Sequence, residues 1–195
     1  MRIFFTRLFA LIPLALLVCG KSHWTGNSPA IAAFLFVSGT IAIGVAILGR
    51  LWCSLYIAGR KDRVLVVNGP YSLSRNPLYL FSFFGAVGIG LATQTFTIPL
   101  ILTAAFMIYY PQIISREETK LSLLFPKEFP AYKASVPRFF PHHLRPLEVD
   151  DYAVNPKIFR RHMGSAVWFI WILGLLKIVE LLHSYRLLPI FFSLY

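Results

Sequence analysis

Apolar residues arrive along the chain in five long runs, with two short links and two long polar stretches between them. The runs are residues 3–20, 29–49, 78–94, 96–114 and 164–182. A helix needs about 20 apolar residues to cross a bilayer, so each run predicts a transmembrane helix. The third and fourth are joined only by Thr95 and its neighbours, which predicts a tight helical hairpin. The closing stretch LLPIFFSLY is apolar but too short to span on its own. Polar residues gather instead in segments 50–77 and 115–163.

The first run has a second reading. Arg2 and Arg7 ahead of an apolar stretch resemble a secretory signal, and LLVCG resembles a lipoprotein cleavage site. Val18 is larger than the residue that normally precedes such a cysteine, so a retained helix is the expectation.

Composition supports the membrane reading. The chain is 57% hydrophobic and 14% charged, with a mean hydropathy of +0.66, whereas soluble domains carry about 25% charged residues. The expected fold is an all-α integral membrane protein of five transmembrane helices, forming a single membrane domain over residues 1–195. Within it, residues 1–50 make an N-terminal helix pair, 51–141 a core, and 142–195 an extension with the fifth helix.

A net charge of +11 raises the question of nucleic acid. The distribution answers it. Segment 50–77 carries Arg50, Arg60, Lys61, Arg63 and Arg75, and segment 115–163 carries nine more Lys or Arg, while the other side has little beyond Lys21. This is the positive-inside pattern. It predicts the N-terminus and both large polar segments in the cytoplasm and the C-terminus opposite, with no nucleic-acid partner. By that topology Cys19 and Cys53 lie on opposite sides, which argues against a disulfide. The histidines (His23, His142, His143, His162 and His183) show no zinc-ligand spacing and read as interfacial residues, so no metal is expected.

The chemistry concentrates in the stretch NGPYSLSRNPLYL, residues 68–80. Asn-Gly followed by Pro70 predicts a turn. Pro77 suits a first helical turn and biases Asn76 away from helix, so a helix start is expected at Pro77 with Asn76 as its N-cap. A helix start presents free N–H groups and a positive dipole end. Arg75 beside it suits a carboxylate or other anion, or it snorkels to lipid phosphate. The hairpin must bring Glu117 and Glu118 back to the level of Arg75 and Pro77. An anion site facing an acidic pair would suit a small zwitterion; alternatively, the acids pair with Arg116, Lys120 or Arg75. Gly88 and Gly90 thin the third span, which favours close helix packing or a ligand at the backbone. In the fifth span, Lys177 and Glu180 are placed to pair along one helix face.

These residues carry a family resemblance. Gly69, Pro70, Tyr71, Arg75, Pro77 and Tyr79, then Glu117 and Glu118, then Phe125, Tyr132, Pro137, Arg138 and Pro141 resemble the isoprenylcysteine carboxyl methyltransferase and phospholipid methyltransferase superfamily, over about residues 50–141. The Gly88–Gly90 pair resembles a GxG element of the phospholipid members. The resemblance implies a membrane methyltransferase using S-adenosylmethionine, with a cytoplasmic C-terminal loop completing the cofactor site and a membrane lipid or small molecule as acceptor. It implies cofactor contacts from Gly69, Tyr71, Arg75, Asn76, Pro77, Tyr79, Gly88, Gly90, Glu117, Glu118, Phe125 and Tyr132, and catalytic positions at Asn76, Tyr132 and Arg138. Tyrosine faces suit the sulfonium, and Leu124, Phe125, Phe139 and Phe140 suit adenine.

Asn76 stands where the family pattern has histidine. Asparagine does not titrate near neutral pH, so a proton-acceptor role does not carry over. Two other readings stay open: an NADPH-dependent reductase of sterol-reductase type, with Lys133, Arg138 and Arg145 for the ribose phosphate, and a membrane scaffold without activity.

Overall fold

The computed structural model describes Leu16 and Val18–Tyr195. Most of the first expected helix lies outside these residues. Elements are β1 (Gly20–Ser22), α1 (His23–Asn27), α2 (Pro29–Ile57), α3 (Pro70–Leu73), α4 (Pro77–Ala92), α5 (Thr97–Leu124), α6 (Phe129–Ser135), α7 (Pro156–Ser184) and β2 (Phe192–Leu194). Among the described residues three helices, α2, α5 and α7, are long and apolar enough to cross a membrane, and α4 is a shorter apolar helix of the expected hairpin.

Each long helix outruns its apolar stretch. α2 continues eight residues past Gly49, α5 ten past Ile114, and α7 starts eight before Gly164. Hydropathy marks what sits in lipid, while hydrogen-bond continuity marks what is helical. α5 rises about 42 Å over its 28 residues, beyond the roughly 30 Å hydrocarbon layer. Glu117 and Glu118 therefore lie within a helix that continues past them. The ends follow local chemistry. α2 gives way to Gly59, whose φ of 86° turns the chain. Asn155 Oδ1 accepts from Ile158 N at 3.1 Å ahead of Pro156 in the first turn of α7.

The chain divides into two compact units. One comprises the described residues up to Gly44 with Gly85–Phe106 and Phe169–Tyr195. Its helices meet at glycines. A Cβ on Gly88 would lie 2.8 Å from the Gly39 carbonyl oxygen, and one on Gly90 would lie 2.5 Å from Pro99 Cα. The hairpin turn places Gln94 at φ 61°. Ser22 Oγ donates to its carbonyl and Thr25 Oγ1 to its side-chain oxygen, while its amide nitrogen donates to Glu180. Lys177 pairs with the same Glu180 at 2.6 Å, as the spacing predicts. The apolar tail forms β2, which pairs in parallel with β1, and the Tyr195 carbonyl accepts from Phe96 N and Thr97 N at the start of α5. Those N–H groups have no partner inside the helix, so this short sheet, absent from the all-α expectation, gives the tail a structural role.

The other unit comprises Val45–Phe84 and Met107–Trp168. Its core is Cys53, Tyr56 and Tyr71, packed by Trp52, Ile57, Leu78 and Phe81. It contains the polar segments and most of the candidate chemistry.

Candidate functional site

The turn at residues 68–71 forms as its sequence predicts. Gly69 adopts φ 58°, and Tyr71 N donates to Asn68 O at 3.2 Å. The glycine is needed twice, because a Cβ there would also run into the Tyr56 ring. Six residues after Tyr71, α4 begins at Pro77. Asn76 holds the cap position through its backbone: its carbonyl accepts from Leu80 N at 3.1 Å. Its side chain does other work. The amide nitrogen donates to Arg138 O at 3.0 Å and to Glu118 Oε1 at 3.3 Å.

Arg75 is committed within the protein. Nε donates to Glu118 Oε1 at 2.9 Å, and Nη1 donates to the carbonyls of Lys133 and Val136 at 2.8 and 2.6 Å. Its side chain is 9% exposed and that of Glu118 is 12%. Of the two readings of the acidic pair, this is the ion pair with Arg75. Neighbouring positions on a helix point about 100° apart, and the two acids accordingly serve different partners. Glu117 turns to Tyr79, whose hydroxyl donates at 2.7 Å, and to Lys61 at 3.9 Å.

The loop after α6 completes the arrangement. Arg75 N donates to Pro137 O at 2.9 Å. Arg138 Nη2 donates to Ser115 Oγ at 2.6 Å, and Arg138 Nε stands 3.7 Å from Glu118. Tyr132, buried on α6, donates to the Tyr71 carbonyl at 2.7 Å.

Two cavities border this network. The smaller, about 100 Å³, is lined by seven of the residues singled out from sequence: Tyr71, Arg75, Asn76, Pro77, Tyr79, Glu117 and Tyr132. The larger, about 890 Å³, is lined by Phe125 and Tyr132 with the Arg63–Val67 segment, α6 and residues 143–147. Val64, Leu65 and Tyr132 line both. Tyr71 is 8% exposed, and its hydroxyl makes no hydrogen bond among the described residues. A buried hydroxyl without a partner costs about 1–3 kcal/mol. Burial also pushes its phenol well above the ordinary tyrosine value. Tyr132 is shifted the same way by burial, partly offset by the Arg75 charge.

Gly88 and Gly90 belong to the other unit, where they serve the helix contacts described above. Sequence reasoning missed Tyr56, and it missed Lys61 and Asp62 as residues lining the smaller cavity. Tyr56 reads as one more aromatic in an apolar helix, and nothing local marks it as the wall behind Gly69. Among the described residues, no group of three or more His, Cys, Asp or Glu is placed to hold a metal ion.

The profile of the phospholipid methyltransferase family matches residues 27–128, just over half of the chain. The chain belongs to the phospholipid methyltransferase family. As a member it is an integral membrane protein, in keeping with the three long apolar helices among the described residues. It is 38% identical to the nickel-cobalt-cadmium resistance protein NccN of Alcaligenes xylosoxydans xylosoxydans, over 97% of this chain and 88% of that one. It is 36% identical to the cobalt-zinc-cadmium resistance protein CzcN of Cupriavidus metallidurans, over 88% and 78% of the two chains. No solved structure matches. The family match ends at residue 128, before Tyr132 and Arg138.

Proposed function

We propose that this protein is an S-adenosylmethionine-dependent methyltransferase that acts at the membrane on a lipidic or small-molecule acceptor. The observation that carries this reading is the buried, unpartnered hydroxyl of Tyr71, a residue lining a small cavity that shares Val64, Leu65 and Tyr132 with a much larger one. Small-molecule sites have volumes of about 300–1,000 Å³, and 890 Å³ falls in that range.

The residues present fit the cofactor. The larger cavity has an apolar floor, including Leu65, Val67 and Phe125, suited to adenine. It also carries charges of both signs, from Arg63, Arg145 and Glu128, suited to a zwitterionic methionine. Arg63 and Arg145 form no ion pair among the described residues, so they are available where Arg75 is not. Tyr71, Tyr79 and Tyr132 border the smaller cavity and suit a sulfonium. S-adenosylmethionine, when bound, supplies an electrophilic methyl group.

The protein's share is alignment, worth about 7–11 kcal/mol in well-oriented reactions. Tyr132 fixes the Tyr71 turn, and the Arg75–Glu118–Asn76–Arg138 network fixes the helix start beside it. Asn76 accepts no proton at neutral pH. Glu117 lines the small cavity and is the carboxylate available to a nucleophile that arrives protonated; a carboxylate acceptor needs no base. The charge pattern favours cofactor entry from the cytoplasm. The relatives' names set the proposal in resistance to divalent metals, with the methylated product contributing to it.

Thermal stabilisation of the purified protein by S-adenosylmethionine, and not by NADPH, is the expected result. Transfer of labelled methyl into a membrane extract then identifies the acceptor class. Stabilisation by NADPH alone overturns the proposal in favour of a reductase. Binding of neither, with Glu118→Gln silent in cells, favours a scaffold.

A further inference from the structure

Residues 143–155 link the core to α7 and lie beyond the family match. Apart from a single bridge, the segment has no regular secondary structure. It is nevertheless fastened at three places. Leu147 bridges Gly69, with Gly69 N donating to Leu147 O at 2.8 Å and Leu147 N to Ser72 Oγ at 2.8 Å. Tyr56 donates its hydroxyl to Glu148. Tyr152 lays its ring 4.5 Å from the Tyr56 ring, donates to the Tyr56 carbonyl, and is covered by the Arg60 guanidinium at 3.8 Å.

We propose that this segment is a strap that closes the larger cavity around its ligand and swings from the Tyr56 anchor to exchange it. The inference rests on the reading of that cavity as the cofactor site. His143, Arg145, Pro146 and Leu147 form one of its walls, so lifting the strap opens it on that side. The fastenings are few and mostly polar, while Leu144, Leu147 and Val149 stay exposed. Tyr152 alone packs on the Cys53–Tyr56–Tyr71 core, so residues 143–149 carry little buried apolar contact and occupy the low-stability end of a fold, where binding lids are found. Tyr56 has the opposite character, being 7% exposed in the core. A rigid anchor thus holds a weakly held strap. Arg145 adds a positive charge that comes and goes with strap closure, so a ligand carrying a negative group favours the closed state. Tyr56, Glu148 and Tyr152 are positioning residues in this account.

Hydrogen exchange of residues 144–154, read by mass spectrometry on the full-length protein with and without S-adenosylmethionine, tests it. The cofactor should slow exchange of the strap amides, and Tyr152→Ala should speed it in the free protein. Loss of one aromatic pair and one cation–π contact predicts an affinity for S-adenosylmethionine about tenfold weaker in Tyr152→Ala. Tyr152→Phe keeps the ring and should recover most of that loss, while exchange in α5 unchanged in Tyr152→Ala separates a strap effect from a general folding defect. Glu148→Gln offers a milder break if Tyr152→Ala does not fold. Strap exchange indifferent to bound cofactor overturns the proposal and leaves the cofactor reading standing. If the cofactor does not bind at all, the functional reading falls. The strap is then judged by free-state exchange alone: equal rates in wild type and Tyr152→Ala refute it, and faster exchange in the variant supports it.

Discussion

Replacing Arg75 by methionine removes a guanidinium whose side chain is 9% exposed and which donates to Glu118 and to two backbone carbonyls. Methionine keeps the length of the aliphatic stem but not the donors. Glu118, itself 12% exposed, is left with the Asn76 amide at 3.3 Å and Arg138 at 3.7 Å. Removing one partner of a buried pair costs about 3–5 kcal/mol, against at most about 1 kcal/mol for an exposed pair. For a chain of this size, that is a fall in melting temperature on the order of ten degrees. Fluorescence-detected size-exclusion chromatography after heating reads it in detergent. Combining Arg75→Met with Glu118→Gln should restore part of the loss, with a coupling energy above about 1 kcal/mol. A melting temperature within two or three degrees of wild type, with S-adenosylmethionine binding lost, would refute the reasoning: Arg75 would then be the free anion grip that the sequence pattern first suggests.

Tyr71→Phe removes an unpartnered buried hydroxyl, so the ligand-free protein should be equally or slightly more stable while S-adenosylmethionine binds more weakly; the melting temperature and a binding isotherm check the two halves. Gly88→Val forces a side chain against the Gly39 carbonyl oxygen and should cost about 1–3 kcal/mol by thermal melting, since overpacking displaces backbone. The phenols of Tyr71 and Tyr132 are pushed up by burial, so the unfolded chain loses these protons first as pH rises. Their contribution is therefore fully present below the unfolded pKa and is lost above about pH 10. Melting temperature against pH should fall there, and the fall should shrink in Tyr132→Phe.

Much of the site is readable before any coordinates, because its parts are local. Asn-Gly-Pro makes a turn with a left-handed glycine, and a proline after a short polar run starts a helix; both follow from backbone sterics within a few residues. The return of Glu117 and Glu118 to the level of Arg75 is likewise legible, since a short link between two apolar helices leaves one way back. Other parts were not readable. Whether Arg75 meets an outside anion or Glu118 depends on a helix rotation that hydropathy does not encode. Tyr56 lies in an apolar helix, and its place behind Gly69 and beneath Tyr152 exists only once distant segments meet. Helix ends differ from the ends of the apolar runs for a related reason: polar residues stop partition into lipid without breaking the hydrogen-bond ladder.

By itself, then, the sequence determined the membrane class, the hairpin, the turn at Gly69, the helix start at Pro77 and the family, since each rests on composition, short-range sterics or ordered motifs. Only the tertiary structure decided which charges are spent on one another and which remain free. It joined Arg75 to Glu118, left the Tyr71 hydroxyl unpartnered, turned Asn76 toward the Arg138 carbonyl, and folded residues 143–155 against Tyr56. Pairing between groups 43 to 92 residues apart is a matter of packing geometry, and no local pattern specifies it.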